Sequence, residues 1–456
     1  MNELIISVSG LRGVVGQSLT PDVAARYITA FAGQLKSVSQ SPRPVVIVGR
    51  DGRDSGPVLR DVLVASLRGC GCDCIDADVI ATPTLGVLVR QRRADAGVQI
   101  TASHNPPPYN GIKLFGPSGR VLDAAAGAAV RDAYQAGRLS WVTHDQFGMT
   151  LEAGDAHAPH LEAVLATVDV EAIARRKFRV LLDSNHGSGA ILGRRLLEKL
   201  GCEVIVVGGE PDGRFEHVPE PTAENLQAIA ARVAEERCEV GFCQDPDADR
   251  LALIDAAGRY IGEEYTLALC VQRAMANPRT RGPVVINGAT SSMSELLAAA
   301  AGQTAHRSAV GEANVVDQML ATGATYGGEG NGGPIDPRVG WVRDSFVGMS
   351  QVLDLMASSG RSLAELADAL PRLAIHKTKV SFDTFQLASV LQAITDAHPD
   401  ATADLSDGLR LAWPDAWLLV RGSNTEPIVR LIAEAPSEAA AERLCEQAKQ
   451  IIASVL

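Results

Sequence analysis

Three stretches of this chain repeat one plan: an apolar strand, a polar loop, a helix ending near a glycine, and a second apolar strand. The first covers strand 45–50, helix 58–67 and strand 74–80. The second covers 179–183, 191–200 and 202–207, and the third begins with 283–287 and 294–300. Strands that are apolar along their whole length are buried on both faces, so the repeats predict α/β domains with mixed, mainly parallel sheets covered by helices. Gly69, Gly201 and Gly302 stand where a left-handed C-terminal cap is preferred. Thr20-Pro21-Asp22 opens an earlier helix, with a capping threonine and a first-turn proline. After residue 368 the plan stops. Segments 381–397, 409–420, 428–435 and 439–456 predict a smaller α+β domain. A chain of 456 residues is too long for one core. The expected domains are 1–150, 151–257, 258–368 and 369–456.

Chemistry is concentrated in the loops. Thr101-Ala-Ser103-His104-Asn-Pro106 lies between strand-like 96–100 and 112–115. Pro106, Pro107 and Pro108 forbid a helix directly after Ser103. Ser103 is therefore not on the strand–turn–helix elbow of the serine hydrolases, and G-x-S-x-G is absent. An exposed serine beside His104, Asn105 and Lys113 suits a carrier of a phosphoryl group; the plainer alternative is a solvated turn.

Asp245-Pro-Asp247-Ala-Asp249-Arg250 puts three carboxylates at alternate positions, which an extended loop would point the same way. Like charges held that close call for a cation, and hard oxygen ligands suit Mg²⁺. A calcium EF-hand is excluded, because Arg250 and Ala256 stand where that loop needs Gly and Glu. Further on, Arg421-Gly-Ser423-Asn424-Thr425 and Arg430 combine hydroxyls, an amide and two guanidiniums, which makes an anion cradle. The segment Gly327-Gly-Glu329-Gly-Asn331-Gly-Gly333 embeds one acid and one amide in glycine. Glycine permits close approach of a ligand to the backbone, and Glu329 and Asn331 can bond sugar hydroxyls.

These loops, in this order, resemble those of the α-D-phosphohexomutase superfamily: phosphoserine, metal, sugar and phosphate loops along essentially the whole chain. Ser9-Gly-Leu-Arg12-Gly13, Tyr109-Asn-Gly-Ile-Lys113, His217-Val-Pro-Glu-Pro221 and Val310-Gly-Glu-Ala-Asn314 resemble further signatures. The resemblance implies four domains around a central cleft. It implies a phosphoryl group shuttled between O6 and O1 of a hexose phosphate through phospho-Ser103 and a bisphosphosugar. It implies Mg²⁺ on Ser103, Asp245, Asp247 and Asp249, with a hexose 1,6-bisphosphate as activator. Arg12 and Arg250 are candidates to clamp the moving group. Lys113 is the candidate general acid/base, with a depressed pKa if cations crowd it. His104 orients the loop. Glu329 and Asn331 hold the sugar, and Arg421, Ser423, Asn424, Thr425 and Arg430 hold the other phosphate. One departure stands out: many members carry Gly-Glu-x-Ser-Gly-His in the sugar loop, where this chain has Asn331 and Gly333. Lys113, Asp336 or the Arg343-Asp344 pair would then supply a second acid/base. The variant loop is most similar to the archaeal-type phosphoglucosamine mutase branch. Phosphomannomutase or phosphoglucomutase activity is the nearest alternative; a phosphosugar phosphatase and an inactive sugar-phosphate binder are remote ones.

A net charge of −12 argues against nucleic acid or an anionic membrane as partner, so an anionic hexose phosphate must be captured by local arginines. No apolar run is long enough to span a bilayer, and the first residues lack a signal-peptide pattern. Eight cysteines without metal spacing suit a reducing cytoplasm. Cys70, Cys72 and Cys74 alternate, which predicts one buried strand face. A monomer or homodimer is expected.

Overall fold

Among the residues that the computed structural model describes (4–7, 10–381, 386–422 and 428–455), the strands form four sheets. The first three share a parallel core of three strands. Val45–Arg50 lies between Asp73–Val79 and Ala96–Ile100. Arg179–Asp183 lies between Glu203–Val207 and Val240–Gln244. Val284–Asn287 lies between Ala305–Ser308 and Tyr326–Glu329. Each core is then extended by an antiparallel strand on the same side: Tyr109–Phe115, Leu251–Asp255 and Gly333–Ile335. The Ser103 loop, the aspartate loop and the glycine-rich loop are the returns into these three strands. All three leave the carboxyl end of a parallel strand, the end where open α/β sheets bind ligands. The sheets are therefore mixed, as the sequence predicts. The first is widened by an N-terminal hairpin, Ile5–Ser7 with Gly10–Val14, on Tyr109–Phe115.

The fourth sheet is antiparallel throughout, in the order Ala374–Ser381, Ile428–Ala435, Trp417–Gly422, Leu409–Ala412, Thr402–Asp404. Helices Leu387–Ala397 and Glu438–Val455 cover it, and it has its own apolar core around Leu411, Leu418, Leu431 and Ile452. The largest core runs continuously through the second and third units. At its centre lies the helix Ser345–Ser359, buried over its first twelve residues. Asp344 caps that helix by accepting from the N–H groups of Phe346 and Val347, and Gly360 ends it at φ +71°.

Local details differ from expectation in four places. Cys70, Cys72 and Cys74 do not share a strand face: Cys70 caps the helix Gly56–Gly69, Cys72 is in the turn and only Cys74 is on a strand. All three are nevertheless buried in one core, because the turn folds them inward. The left-handed glycine after that helix is Gly71 (φ +84°), not Gly69, whose missing side chain makes room for the Trp141 ring. Gly201 and Gly302 are left-handed as expected. Thr20 is the N-cap residue but its side chain accepts no bond from the N–H groups of the helix; its hydroxyl donates to the Asp22 carboxylate instead. Finally, the aspartate loop is a tight turn rather than extended, with Ala248 at φ +57°. No helix among the described residues is long and apolar enough to cross a membrane.

Candidate active site

Ser103 follows the strand Ala96–Ile100 with a left-handed backbone, φ +50°, an uncommon conformation for a residue with a β-carbon. The loop is held from beneath by Arg53, a residue to which the sequence assigned no role. Its guanidinium donates to the carbonyls of Ser103 and Asn105 (2.6 Å each) and of Pro106 and Tyr109 (3.0 Å each). Asp51 anchors it through Nε at 3.1 Å. Both residues are almost wholly buried. The available signal was the pair Asp51-Gly-Arg53 at the carboxyl end of the central strand. Arg12 reaches the same loop, with Nη1 2.5 Å from Asn105 Oδ1. His104 Nδ1 lies 3.3 Å from Ser103 Oγ. Burial, followed by the charges of Arg250 and Arg12, lowers His104 to about 2, so the ring stays neutral.

The serine meets the aspartate loop directly: Ser103 Oγ donates to Asp245 Oδ2 at 3.0 Å. The tight turn brings one oxygen from each of Asp245, Asp247 and Asp249 within 4.8 Å of one another. All three residues are buried. Burial and then the neighbouring Asp249 and Asp247 push Asp245 well above the usual carboxylate range. Oδ2 of Asp247 accepts from Thr82 (2.7 Å) and Lys113 (2.6 Å), whereas its Oδ1 and that of Asp249 are buried with no hydrogen-bond partner among the described residues. Buried hard oxygens with unused lone pairs fit a divalent cation of the Mg²⁺ kind. The cation crowding that would depress Lys113 is not what surrounds it. It sits between Asp247 and Asp249, 2.6 and 3.3 Å away. Burial disfavours its charge, but the two carboxylates outweigh burial and hold it above its ordinary value. Arg250 is loosely held at 3.8–3.9 Å from Asp245, Asp249 and Glu220, and its buried Nε has no hydrogen-bond partner among the described residues. Such a guanidinium is available to an incoming anion.

The glycine-rich segment is a hairpin, Tyr326–Glu329 against Gly333–Ile335. Glu329 is buried and tied in place. Its Oε1 accepts from Asn287 (2.6 Å) and the Gly311 N–H (3.1 Å), and its Oε2 from Arg343 (2.6 Å). Asn331 lies beside it at 3.5 Å, and its buried Oδ1 has no hydrogen-bond partner among the described residues. Two candidates for a second acid/base are engaged elsewhere. Asp336 pairs with Arg338 and accepts from Gln351, and Asp344 caps its helix and pairs with His160 at 2.8 Å.

In the fourth unit the antiparallel register sets Arg421 opposite Arg430, and Arg430 opposite Lys379. Three cations thus form one row across the sheet, a repulsive arrangement that an anion relieves. Arg421 also donates to Asp407 at 2.7 Å. Ser423, Asn424 and Thr425 lie outside the described residues.

Four family models match in succession. They are the phosphoglucomutase/phosphomannomutase α/β/α domains I (residues 4–140), II (158–258) and III (263–373), and the C-terminal domain (386–451). A phosphoglucomutase/phosphomannomutase of Thermococcus kodakarensis is 36% identical over 98% of both chains. The chain belongs to the phosphoglucomutase/phosphomannomutase family of the α-D-phosphohexomutase superfamily. It is an intramolecular phosphotransferase, a phosphohexomutase. A probable phosphoglucosamine mutase of Methanopyrus kandleri is 32% identical over 97% of this chain and 96% of its own. Among solved structures, a family protein from Burkholderia thailandensis superposes with a TM-score of 0.87 at 27% identity, covering 99% of this chain and 97% of the other. In this phosphohexomutase the three α/β units therefore deliver serine, aspartate and glycine-rich loops to one place, and the unit-spanning bonds of Ser103, Lys113 and Arg343 join them.

Proposed function

We propose that the chain is a phosphoglucosamine mutase, interconverting glucosamine 6-phosphate and glucosamine 1-phosphate through phospho-Ser103 and a bisphosphorylated sugar. The observation that carries the phosphoryl-transfer reading is the contact of Ser103 Oγ with Asp245 at 3.0 Å, beside two buried carboxylate oxygens without hydrogen-bond partners among the described residues. The amino-sugar reading is supported by the relative from Methanopyrus kandleri and by the loop Gly328-Glu-Gly-Asn-Gly-Gly333.

In the forward step the P–Oγ bond of phospho-Ser103 breaks and a P–O bond to the free sugar hydroxyl forms. Lys113, held as an ammonium by Asp247 and Asp249, gives a proton to the departing Oγ and regains one from the sugar hydroxyl as the new P–O bond forms, so the step balances. Asp245, Asp247 and Asp249 with Ser103 would hold Mg²⁺, which supplies charge neutralisation for the transferring group. Arg250 and Arg12 orient that group, and neutral His104 steadies the loop without taking part in proton exchange. The row Arg421, Arg430 and Lys379 holds the phosphate that is not reacting. After the bisphosphate turns over, its other phosphoryl group returns to Ser103 and the proton passes back. A hexose 1,6-bisphosphate restores the phosphoserine whenever the intermediate escapes.

The test is kcat/KM for the 6-phosphates of glucosamine, glucose and mannose, with Mg²⁺ and the matching bisphosphate. Glucosamine should lead by tenfold or more, about 1.4 kcal/mol of transition-state binding. A lead for glucose or mannose would overturn the amino-sugar assignment while keeping the mutase.

A further inference from the structure

Where the aspartate loop meets the glycine-rich hairpin lies a guanidinium that the proposed mechanism does not use. Arg343, just before the buried helix Ser345–Ser359, is itself buried and bonded to three carboxylates, one from the aspartate loop, one from the start of the helix Glu312–Thr322 and one from the end of the strand Tyr326–Glu329. Nη2 donates to Asp249 Oδ2 at 2.7 Å, Nη1 to Glu329 Oε2 at 2.6 Å, and Nε to Glu312 Oε2 at 3.0 Å. One of these acids belongs to the aspartate loop of the second unit, and the other two belong to the third. The planar fork matches this task, since three donor directions are fixed at once where an ammonium has one mobile point charge.

The geometry also explains Gly333. A β-carbon there would lie 2.5–2.7 Å from Cβ, Cγ and Cδ of Arg343, so the glycine is the space that the arginine stem fills. The backbone of Gly333 does not have a positive φ, so conformation alone does not demand glycine.

We propose that Arg343 is a positioning residue that sets the cation loop in register with the sugar loop, and that Gly333 is glycine to admit it. By holding Oδ2 of Asp249, Arg343 leaves Oδ1, which is buried with no hydrogen-bond partner among the described residues, available to ligate a cation. By holding Glu329 it fixes the sugar loop to the same carboxylate. A guanidinium does not exchange protons near neutral pH, so Arg343 is not a general acid or base. This proposal rests on the mutase reading for its kinetic arm, but not for its binding arm.

The experiment uses two full-length variants that keep the local charge, Arg343→Lys and Gly333→Ala. Mg²⁺ is titrated calorimetrically into each protein without substrate, kcat and KM are then measured with the preferred hexose 6-phosphate, and a thermal melt confirms folding. Both variants should weaken Mg²⁺ binding at least threefold and lower kcat at least tenfold, with KM moved less than threefold. Mg²⁺ affinity and kcat within twofold of the parent in both folded variants would overturn the proposal. So would a fall in kcat with unchanged Mg²⁺ affinity, because Arg343 would then not act through Asp249. Gly333→Ala removes no polar group, so it tests the idea even where Arg343→Lys folds poorly. A parent protein that isomerises no hexose phosphate would instead refute the mutase reading and leave the Mg²⁺ titration informative.

Discussion

Ser103 and its neighbours can be tested one side chain at a time. Ser103 is buried, not exposed as the sequence suggested, yet Ser103→Ala should lower isomerisation at least a thousandfold while leaving the melting temperature nearly unchanged, because Arg53 holds the loop through backbone carbonyls. Steady-state turnover and a thermal melt check this; near-normal turnover would refute the phosphoserine. His217 gives a pH test. Burial lowers its pKa, but the hydrogen bond and charge of Asp183, with Oδ2 at 2.8 Å, outweigh burial and raise it. A raised histidine adds stability below its unfolded value of about 6.5, and that stability is lost as pH rises through the folded value. His217→Gln should therefore cost about 1 kcal/mol at pH 5.5 and less at pH 9 by urea denaturation. A cost that grows with pH would contradict the assignment. At this scale the sequence showed Ser103, the three aspartates, Lys113 and Arg250 by their local pattern. Arg53 and Thr82 escaped it, because each bonds to residues at least 50 positions away and carries no motif of its own, and Arg343 was read only as part of an acid/base pair, not as the partner of Asp249 and Glu329.

At the scale of elements, helix Ser345–Ser359 carries the largest burden. Asp344 satisfies two of its first N–H groups and also pairs with buried His160 at 2.8 Å. Asp344→Ala should destabilise the protein by about 2–3 kcal/mol, a lost cap plus an orphaned buried partner. Chemical denaturation would measure it, and a cost below about 0.5 kcal/mol would show that water replaces the cap. The helices and strands themselves were legible from apolar periodicity, since a buried face imposes its repeat on the sequence whatever lies opposite. The turns were less so. Gly71 rather than Gly69 takes the left-handed position, and the aspartate loop bends where alternation predicts extension. Both are settled by which backbone groups need partners in the folded unit, and a hydrophobic pattern does not record that.

For the whole molecule, the fourth unit meets the third through a few polar bonds. Asp407 joins Arg421 to the Val310 N–H at 2.8 Å, and Glu434 accepts from the Ser292 N–H at 2.9 Å. Arg421 is thus partly neutralised by Asp407, which an incoming phosphate must outbid. Asp407→Asn should raise the affinity of the chain for a hexose bisphosphate about two- to fivefold, since one repelling carboxylate is removed from the cation row. Calorimetric titration reads this directly, and weaker binding would mean that Asp407 orients Arg421 rather than competing for it. Hydrogen exchange should also slow across Val310–Gly311 and 404–412 on saturation with the bisphosphate if the ligand closes the fourth unit on the third. Unchanged exchange there would exclude closure at this seam.

The repeated α/β plan, the distinct C-terminal unit and the residue types of the phosphoryl and cation loops were all written locally along the chain. Those follow from local rules: periodicity reports burial, and closely spaced serine, carboxylates and guanidiniums report chemistry wherever they are placed. Only the tertiary structure decided that three loops at the same topological position, each a return from a parallel strand into an antiparallel one, meet at one point. It also decided that Glu329 is bound to Arg343 and Asn287 rather than left free, and that Gly333 is space for Arg343. Those outcomes depend on distances between residues far apart in the chain, fixed by packing of whole units, and no local pattern encodes them.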